Sequence, residues 1–529
     1  MNLLGVFARQ VEERPRAAAI IESRAGVDSA VTFAELDLQA RKIAGLLHQA
    51  GVRAGDPVLV FHPVSVELYA VLLGLFRLGA VAMFLDPSAG REHIERCCEL
   101  QPPRALIASP KAHLLRLVST ALRRAPLKFV VGPWLPGAAP LSRAGKVPPL
   151  DYCEPCDAGT QALLTFTSGS TGLPKAAVRT HGFLLAQHRV LESRIQLAAG
   201  ETALATLPIF LLANLASGVT SVIPDADLRS PGAIRPEPVL AQIKRHGVTR
   251  MAASPAFFER LLAAETIDNG ALRGLRKVFT GGAPVFPGLL DHLSRAAPDA
   301  RIEAVYGSTE AEPIAHLDAR DTRLEDRAAM RRGNGLLAGH PIPEIRLRVI
   351  PDRWGEPLGA LTVSEFEALR LPQDQIGEIV VTGDHVLKGY LQGHGDEETK
   401  FSAAGEVWHR TGDAGKIDAA GRLWLLGRCA AKVQDARGQL YPFAVECAAS
   451  EQVGVCRAAF LLHSGRRLLA IQPGDGFGGR TPQTLRDELS WAGVDQVLLV
   501  PRLPVDSRHN AKIDYPALRR LLTRRCSDK

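Results

Sequence analysis

The stretch Leu164-Thr-Phe-Thr-Ser-Gly-Ser-Thr-Gly-Leu-Pro-Lys175 decides the fold. The apolar run Ala162–Thr167 reads as a buried strand, and it leads into six consecutive Gly, Ser or Thr residues ahead of a lysine. Gly169 and Gly172 allow a tight turn and offer bare N–H groups to phosphate oxygens. Thr167, Ser168, Ser170 and Thr171 add donors, and Lys175 adds a positive charge. The spacing is not the GxxxxGK[ST] of a Walker A loop.

Outward from this loop, short β-rich runs alternate with helical patterns. Pro57–Phe61, Ala105–Ala108, Lys128–Val131, Lys277–Thr280 and Arg301–Val305 read as buried strands. Ala34–Gln49 and Pro238–His246 read as helices. That alternation predicts α/β layers with mainly parallel strands. Near Gly377 the texture changes, and Glu378–Thr382 and Arg422–Leu426 read as antiparallel strands. A break at Gly427-Arg428 sets off a small α+β C-terminal domain.

The 529 residues predict about three to four domains or subdomains. Hydrophobic residues make up 46% and charged residues 22%, which excludes extended disorder and fibrous structure. A net charge of +7 is too small for this length to point to nucleic acid, and the tail from Pro501 carries +5 of it. Eight cysteines are too few for a disulfide scaffold, and Cys153-Glu-Pro-Cys156 has no second CxxC to complete a zinc site, so it reads as a surface linker. The apolar residues at 3, 4, 7 and 11 describe an amphipathic helix, not a signal peptide, and a reduced cytoplasmic compartment is expected. The run Thr202–Pro224 has no charged residue, but Pro208, Asn214, Gly218 and Pro224 interrupt it. It reads as a buried helix and strand lining an apolar pocket, with shallow membrane contact left open.

Three further motifs carry chemistry. Gly281-Gly-Ala-Pro284 is a tight turn, placed near the start of the Arg301 strand. Tyr306-Gly-Ser-Thr-Glu310 follows that strand: an aromatic ring suits a purine, Thr309 suits a phosphate, and Glu310 is a hard oxygen ligand of the kind Mg²⁺ takes. Thr411-Gly-Asp413 sets a carboxylate after a turn, fit for a ribose diol, with Arg428 fifteen residues on. Taken singly, Tyr306 reads as core packing and Glu310, Arg428 and Lys512 as surface charges.

Together, TSGSTGLPK, GGAP, YGSTE, TGD and the late Lys512 resemble the adenylate-forming superfamily of acyl-CoA ligases, luciferases and peptide-synthetase adenylation domains. Thr32-Phe-Ala-Glu-Leu36 and Leu78-Gly-Ala-Val81 resemble its early motifs, so the likeness runs nearly end to end. The resemblance implies a large N-terminal domain, 1–427, of layered α/β subdomains plus a β-rich one, and a small mobile domain, 428–529, carrying Lys512. It implies ATP and Mg²⁺ as cofactors. Gly282, Ala283, Pro284, Tyr306 and Gly307 would face the nucleotide, and Thr309, Lys175 and the loop would hold phosphates. Glu310 would hold the metal, and Asp413 and Arg428 the ribose. Lys512 would lie between the two anions that must meet, lowering their repulsion. A non-catalytic relative would be expected to have lost Glu310, Asp413 or Lys512, and all three are present.

The substrate branch is read from Thr206–Ala213, the pocket stretch of the family. It includes Phe210 and is uncharged where amino-acid adenylation domains usually place an Asp, which disfavours an amino acid and suits an alkyl chain; Leu211 stands where acyl-CoA ligases often have a His. Gly281 completes this pocket. Ala80–Arg91, Gly218–Asp227 and Val505–Ile513 resemble a narrower branch, the olefin-pathway β-lactone synthetases. In that branch a β-hydroxy fatty acid is adenylated and its own hydroxyl displaces AMP. The partners implied are a small carboxylic acid and further pathway enzymes. The rival reading is an acyl-CoA ligase. Ala176 replaces the usual Gly after Lys175, Ala430 stands where the hinge Asp or Lys is usual, and Arg437 stands near a Gly of the CoA ligases. The last two departures stand against CoA transfer.

Overall fold

The computed structural model describes all residues except 1, 25, 87–89, 169–173, 265–269, 475, 480, 507–511 and 528–529. They form two compact units, Met1–Asp225 with Asp384–Glu397, and Ala226–Gly383 with Glu398–Lys529.

In the first unit a seven-stranded sheet runs Ala139–Pro140, Leu127–Val130, Ala105–Ala108, Pro57–Phe61, Val81–Phe84, Gln161–Ser168 and Pro174–Thr180. All neighbours are parallel except the last pair. Val58, Leu59 and Val60 are all buried although they alternate faces, so both faces are covered, as parallel strands require. The Phe33–Gln49 helix starts in a capping box: the Thr32 hydroxyl accepts from the Glu35 N–H while the Glu35 carboxylate accepts from the Thr32 N–H. The early TFAEL motif is therefore a helix start. A second sheet orders Thr202–Ala205, Thr220–Ile223, Ala18–Arg24 and Val27–Thr32.

The uncharged run is strand, helix Pro208–Ala216 and strand, and it is buried. Ile209 and Leu212 of that helix line an apolar cavity with Leu4 and Phe7 of the N-terminal Leu4–Glu13 helix. Among the described residues no helix is long and apolar enough to cross a membrane, and no group of three His, Cys, Asp or Glu could hold a metal. Cys156 is more buried than a surface linker implies, and the Asn2 amide donates toward its sulfur at 3.6 Å.

In the second unit the order is Arg346–Ile350, Gly377–Thr382, Glu406–Ile417, Leu423–Arg428, Leu336–Pro341, Ala311–Asp318, Arg301–Ser308, Lys277–Gly281 and Arg250–Ala253. The last three pair parallel and every other neighbour pairs antiparallel. The change of texture thus falls at residues 308–311, well before Gly377. Beyond Arg428, Val455–His463, Arg466–Pro473 and Gln496–Leu499 form a three-stranded sheet. Phe460, Leu469 and Ile471 pack on one face, with Leu518 and Leu522 of the Tyr515–Ser527 helix on the other. The chain is mixed α/β, as expected.

Three local expectations need correction. Gly281 pairs with Val305, so the GGAP turn lies level with the end of the Arg301 strand, not its start. Tyr306, Gly307 and Ser308 belong to that strand, and only Thr309 and Glu310 form the turn that follows. Thr411-Gly-Asp413 lies inside the long Glu406–Ile417 strand rather than after a turn.

Candidate active site

The segments that flank the loop quoted at the outset pair as antiparallel strands. Thr167 pairs with Lys175 and Ser168 with Pro174. Lys175 is buried, with its ammonium 6.0 Å from the centre of the Tyr390 ring. Gly169, Ser170, Thr171 and Gly172 lie outside the described residues, as do residues 508–511 before Lys512. Phe210 and Leu211 are buried on the Pro208–Ala216 helix of the same unit.

The second unit holds a cavity of about 280 Å³. Of the residues singled out in the sequence, Gly282, Ala283, Pro284, Tyr306, Gly307, Asp413, Arg428 and Lys512 line it. The parallel strands Lys277–Gly281 and Arg301–Ser308 end at its wall, the usual place for ligands in such sheets. A Cβ on Gly281 would come within 2.6 Å of the Val305 carbonyl oxygen, so the two strands approach this closely only with glycine there.

Asp413 reaches the cavity through a bulge. Val380 faces Arg410 and Glu378 faces Ala414, so the single Ile379 stands opposite Thr411, Gly412 and Asp413. Gly412 takes φ +70°, and a Cβ there would meet the Trp354 ring at 2.9 Å. The Thr411 hydroxyl donates to the Ile379 carbonyl at 2.9 Å and accepts from the Asp413 N–H at 3.1 Å, which fixes the bulge.

Both carboxylate oxygens of Asp413 are engaged. The Tyr306 hydroxyl donates to one at 2.7 Å and the Arg428 guanidinium lies 3.2 Å from the other. Arg428 also donates to the Thr411 carbonyl at 3.0 Å. Burial first, then the Asp413 charge, raises the Tyr306 hydroxyl well above its ordinary range, so it remains a donor at neutral pH. Asp413 in turn raises Arg428. The carboxylate keeps lone pairs for two further donors, the requirement of a vicinal diol.

Thr309 and Glu310 sit in the turn between the paired strands, and the Glu310 N–H donates to the Ser308 hydroxyl at 3.2 Å. Glu310 acts electrostatically on buried His409, but burial and Lys400, 3.1 Å from its Nδ1, hold that imidazole down to about 3. The Glu310 charge therefore acts on a neutral histidine that is paired with a buried lysine. Lys512 is set by a reciprocal clamp: its N–H donates to Asp506 Oδ1 and the Asp506 N–H donates to its carbonyl, both at 2.8 Å. Arg437 is held by Asp495 and Asp435 at 2.8 Å each.

The sequence reading missed Glu446, which also lines the cavity. Its Oε1 accepts from the Phe460 N–H at 2.8 Å and the Tyr515 hydroxyl at 2.5 Å, and burial pushes it up to about 7. No local signal marks it, since its partners come from a distant strand and the C-terminal helix. A carboxyl raised on folding stabilises the fold at low pH, and that contribution is lost as pH rises from the ordinary 4.5 toward 7. At 1.36 kcal/mol per pH unit the loss is on the order of 3 kcal/mol. Glu446→Gln keeps the acceptor oxygen and removes the charge. It is expected to flatten the pH dependence of unfolding between pH 5 and about 8 and to stabilise the protein at the alkaline end. Denaturant melts across that range would show it; an unchanged slope would contradict the assignment.

Comparison with known proteins agrees with this geometry. The model of the family described as AMP-binding enzyme matches residues 7–391. The chain is 33% identical to the olefin beta-lactone synthetase of Stenotrophomonas maltophilia strain K279a, over 92% of this chain and 90% of that one. It is 30% identical to the olefin beta-lactone synthetase of Xanthomonas campestris pv. campestris, over 97% and 96%. The ATP-bound structure of MatB from Rhodopseudomonas palustris superposes with a TM-score of 0.80 at 21% identity, covering 98% of this chain and 99% of MatB, and shares the fold.

Proposed function

Because the chain belongs to the AMP-binding enzyme family, we propose that it activates a lipophilic carboxylic acid bearing a β-hydroxyl and closes it to a β-lactone. The chain is an AMP-forming ligase by that membership, and ATP use goes with it. The observation that carries the reading is the cavity in which Tyr306 and Arg428 hold Asp413 and which Lys512 also lines.

In the first step the acid's carboxylate attacks the α-phosphorus of ATP and the bond to pyrophosphate breaks. Asp413 accepts from the ribose diol, Arg428 holds Asp413, and the GAP turn with Tyr306 and Gly307 borders the base. Lys512 lies between carboxylate and phosphate, where its charge offsets the growth of negative charge on oxygen. Thr167, Ser168, the loop to Gly172, Thr309 and Lys175 take the departing phosphates. Glu310 would hold Mg²⁺, which neutralises phosphate charge when bound. A single carboxylate with substrate phosphates is the usual oxygen set for that ion. We assign this step to residues 1–427 together with a small domain, 428–529, that presents Lys512.

In the second step the β-hydroxyl oxygen attacks the acyl carbon, AMP leaves with the acyl C–O bond, and the hydroxyl proton is released. The nucleophile is already tethered, so the step needs a rotamer rather than a second substrate. Two named β-lactone synthetases among the relatives support this reading, as do the uncharged helix with Phe210 and Leu211 and an Arg437 fixed by two carboxylates. Enzymes that supply the hydroxy acid and consume the lactone are the partners it implies.

Purified protein with ATP, Mg²⁺ and a 2-alkyl-3-hydroxy fatty acid is expected to give AMP and a product one water lighter than the acid, without CoA. Mass spectrometry decides it. Product formed only when CoA is added would make the chain an acyl-CoA ligase.

A further inference from the structure

The tail is not the most basic part of this chain. Residues 101–150 contain eight Lys or Arg and no Asp or Glu, a local excess larger than the net +7 of the whole sequence. The segment lies at the edge of the seven-stranded sheet, where Leu127–Val130 and Ala139–Pro140 are the outermost strands.

Local structure there turns apolar side chains outward. After the short Pro110–His113 helix the chain tightens into a 3₁₀ turn, Leu114–Leu117, and then the Thr120–Arg124 helix. Leu122 faces the core and is fully buried, whereas Leu114, Leu117 and Val118 are 55, 75 and 49% exposed. The following loop is fixed at both ends. Gly132 lies beside the Pro110 ring, and Arg116 donates to the Pro136 and Gly137 carbonyls at 3.1 Å each. Trp134, between these anchor points, is 67% exposed. Lys111, Arg123 and Arg124 of the same segment are exposed. Arg123 also holds the turn, donating to the Leu117 carbonyl at 3.1 Å and the Thr120 hydroxyl at 2.9 Å. Glu95 of the neighbouring helix is engaged by the Thr120 and Ala121 N–H groups.

A protein in water gains nothing by holding a tryptophan and three aliphatic side chains out on a braced, basic surface. A bilayer with anionic headgroups answers both features: cations meet lipid phosphates while Trp and Leu enter the headgroup region. We propose that residues 110–137 form a docking surface for an anionic lipid bilayer. Leu114, Leu117 and Trp134 enter the interface, and Lys111, Arg123 and Arg124 face the phosphates. The inference stands apart from the catalytic reading, since docking needs neither ATP nor an acid.

The test is flotation of the full-length protein with vesicles of phosphatidylcholine, with and without phosphatidylglycerol, at low and high salt. Partition at least about tenfold stronger onto the anionic vesicles, reversed by salt, is expected. Leu117→Ala with Trp134→Ala, and separately Lys111→Gln with Arg124→Gln, should each lower it by about tenfold or more without moving the thermal midpoint. Bromine-labelled lipid should quench wild-type fluorescence. Trp134→Phe should still bind but lose most of that quenching, because the other four tryptophans lie elsewhere. Equal partition onto both vesicles, or no binding, would overturn the proposal and leave an acidic protein as the occupant. Wild-type partition by both double variants would overturn it too and move the contact to the C-terminal tail.

Discussion

Lys512→Ala is expected to lower the rate of acyl-adenylate formation by roughly 10²–10³, the loss typical of removing one positioned donor from a site where charge develops. The lysine's backbone is clamped by Asp506, so the substitution removes an ammonium without freeing the turn that presents it. Tyr306, Asp413 and Arg428 line the same cavity and hold one another through the Asp413 carboxylate. ATP affinity should therefore change much less than turnover, which separates a transition-state role from simple binding. Lys512→Arg should recover part of the rate, because charge is retained while the shape differs. Pyrophosphate exchange into ATP measures this step alone, independently of what later becomes of the acyl-adenylate. Exchange at the wild-type rate in Lys512→Ala would remove the residue from adenylation.

Arg410→Leu should cost about 3–5 kcal/mol of stability, the usual result of breaking a buried ion pair from one side. Arg410 and Glu378 are both 0% exposed, joined at 2.6 and 2.8 Å. Arg410 also donates to the Arg353 and Glu356 carbonyls and lies over the Trp354 ring at 5.4 Å. Removing it leaves a carboxylate and two carbonyls without their donors. A protein whose net stability is about 5–15 kcal/mol would be left close to its folding limit. The effect should depend on pH. Burial already raises Glu378, and Arg410 counteracts it. Without the arginine the carboxyl is raised further, so it is tolerated when protonated and harmful when ionised. The deficit in denaturant melts should accordingly grow from pH 5 to about 8. A uniform deficit below about 1 kcal/mol would show that the pair contributes little. Because Trp354 also packs on Gly412, the same variant should loosen Asp413, and residual activity should fall further than the folded fraction.

Part of the candidate site was legible because two of its motifs are turns and strand ends, where residue type is dictated locally. GGAP and YGSTE lie where parallel strands end, and their glycines mark the places where the chain turns or strands come close, whereas TGD lies inside a strand. The uncharged run read as strand and helix because its Pro and Gly positions exclude a single span. Features that depend on pairing were not legible. Nothing in TSGSTGLPK tells that Lys175 lies opposite Thr167 in an antiparallel pair. The change to antiparallel pairing was placed too late because Ala311–Asp318 and Leu336–Pro341 are largely buried and carry no clean alternation. Arg410 and Glu378 are 32 residues apart, and Glu446 and Tyr515 are 69 apart. A charge buried by a distant partner looks in sequence like any surface charge.

The bulge at Thr411–Asp413 has a bearing on how this chain tolerates insertions and deletions. The paired residue numbers shift by two across it, from Val380 with Arg410 to Glu378 with Ala414. An even offset preserves parity, so residues after the bulge face the same layers as they would in an unbroken strand. Removing one residue would invert every side chain from Ala414 to Ile417, sending core groups to water and surface groups inward. Removing Asp413 with one of its two bulge neighbours would restore a regular ladder and delete the carboxylate. A lineage of this fold can therefore lose Asp413 together with one neighbouring residue and keep the ladder against Gly377–Thr382, whereas a single deletion there inverts the strand against it.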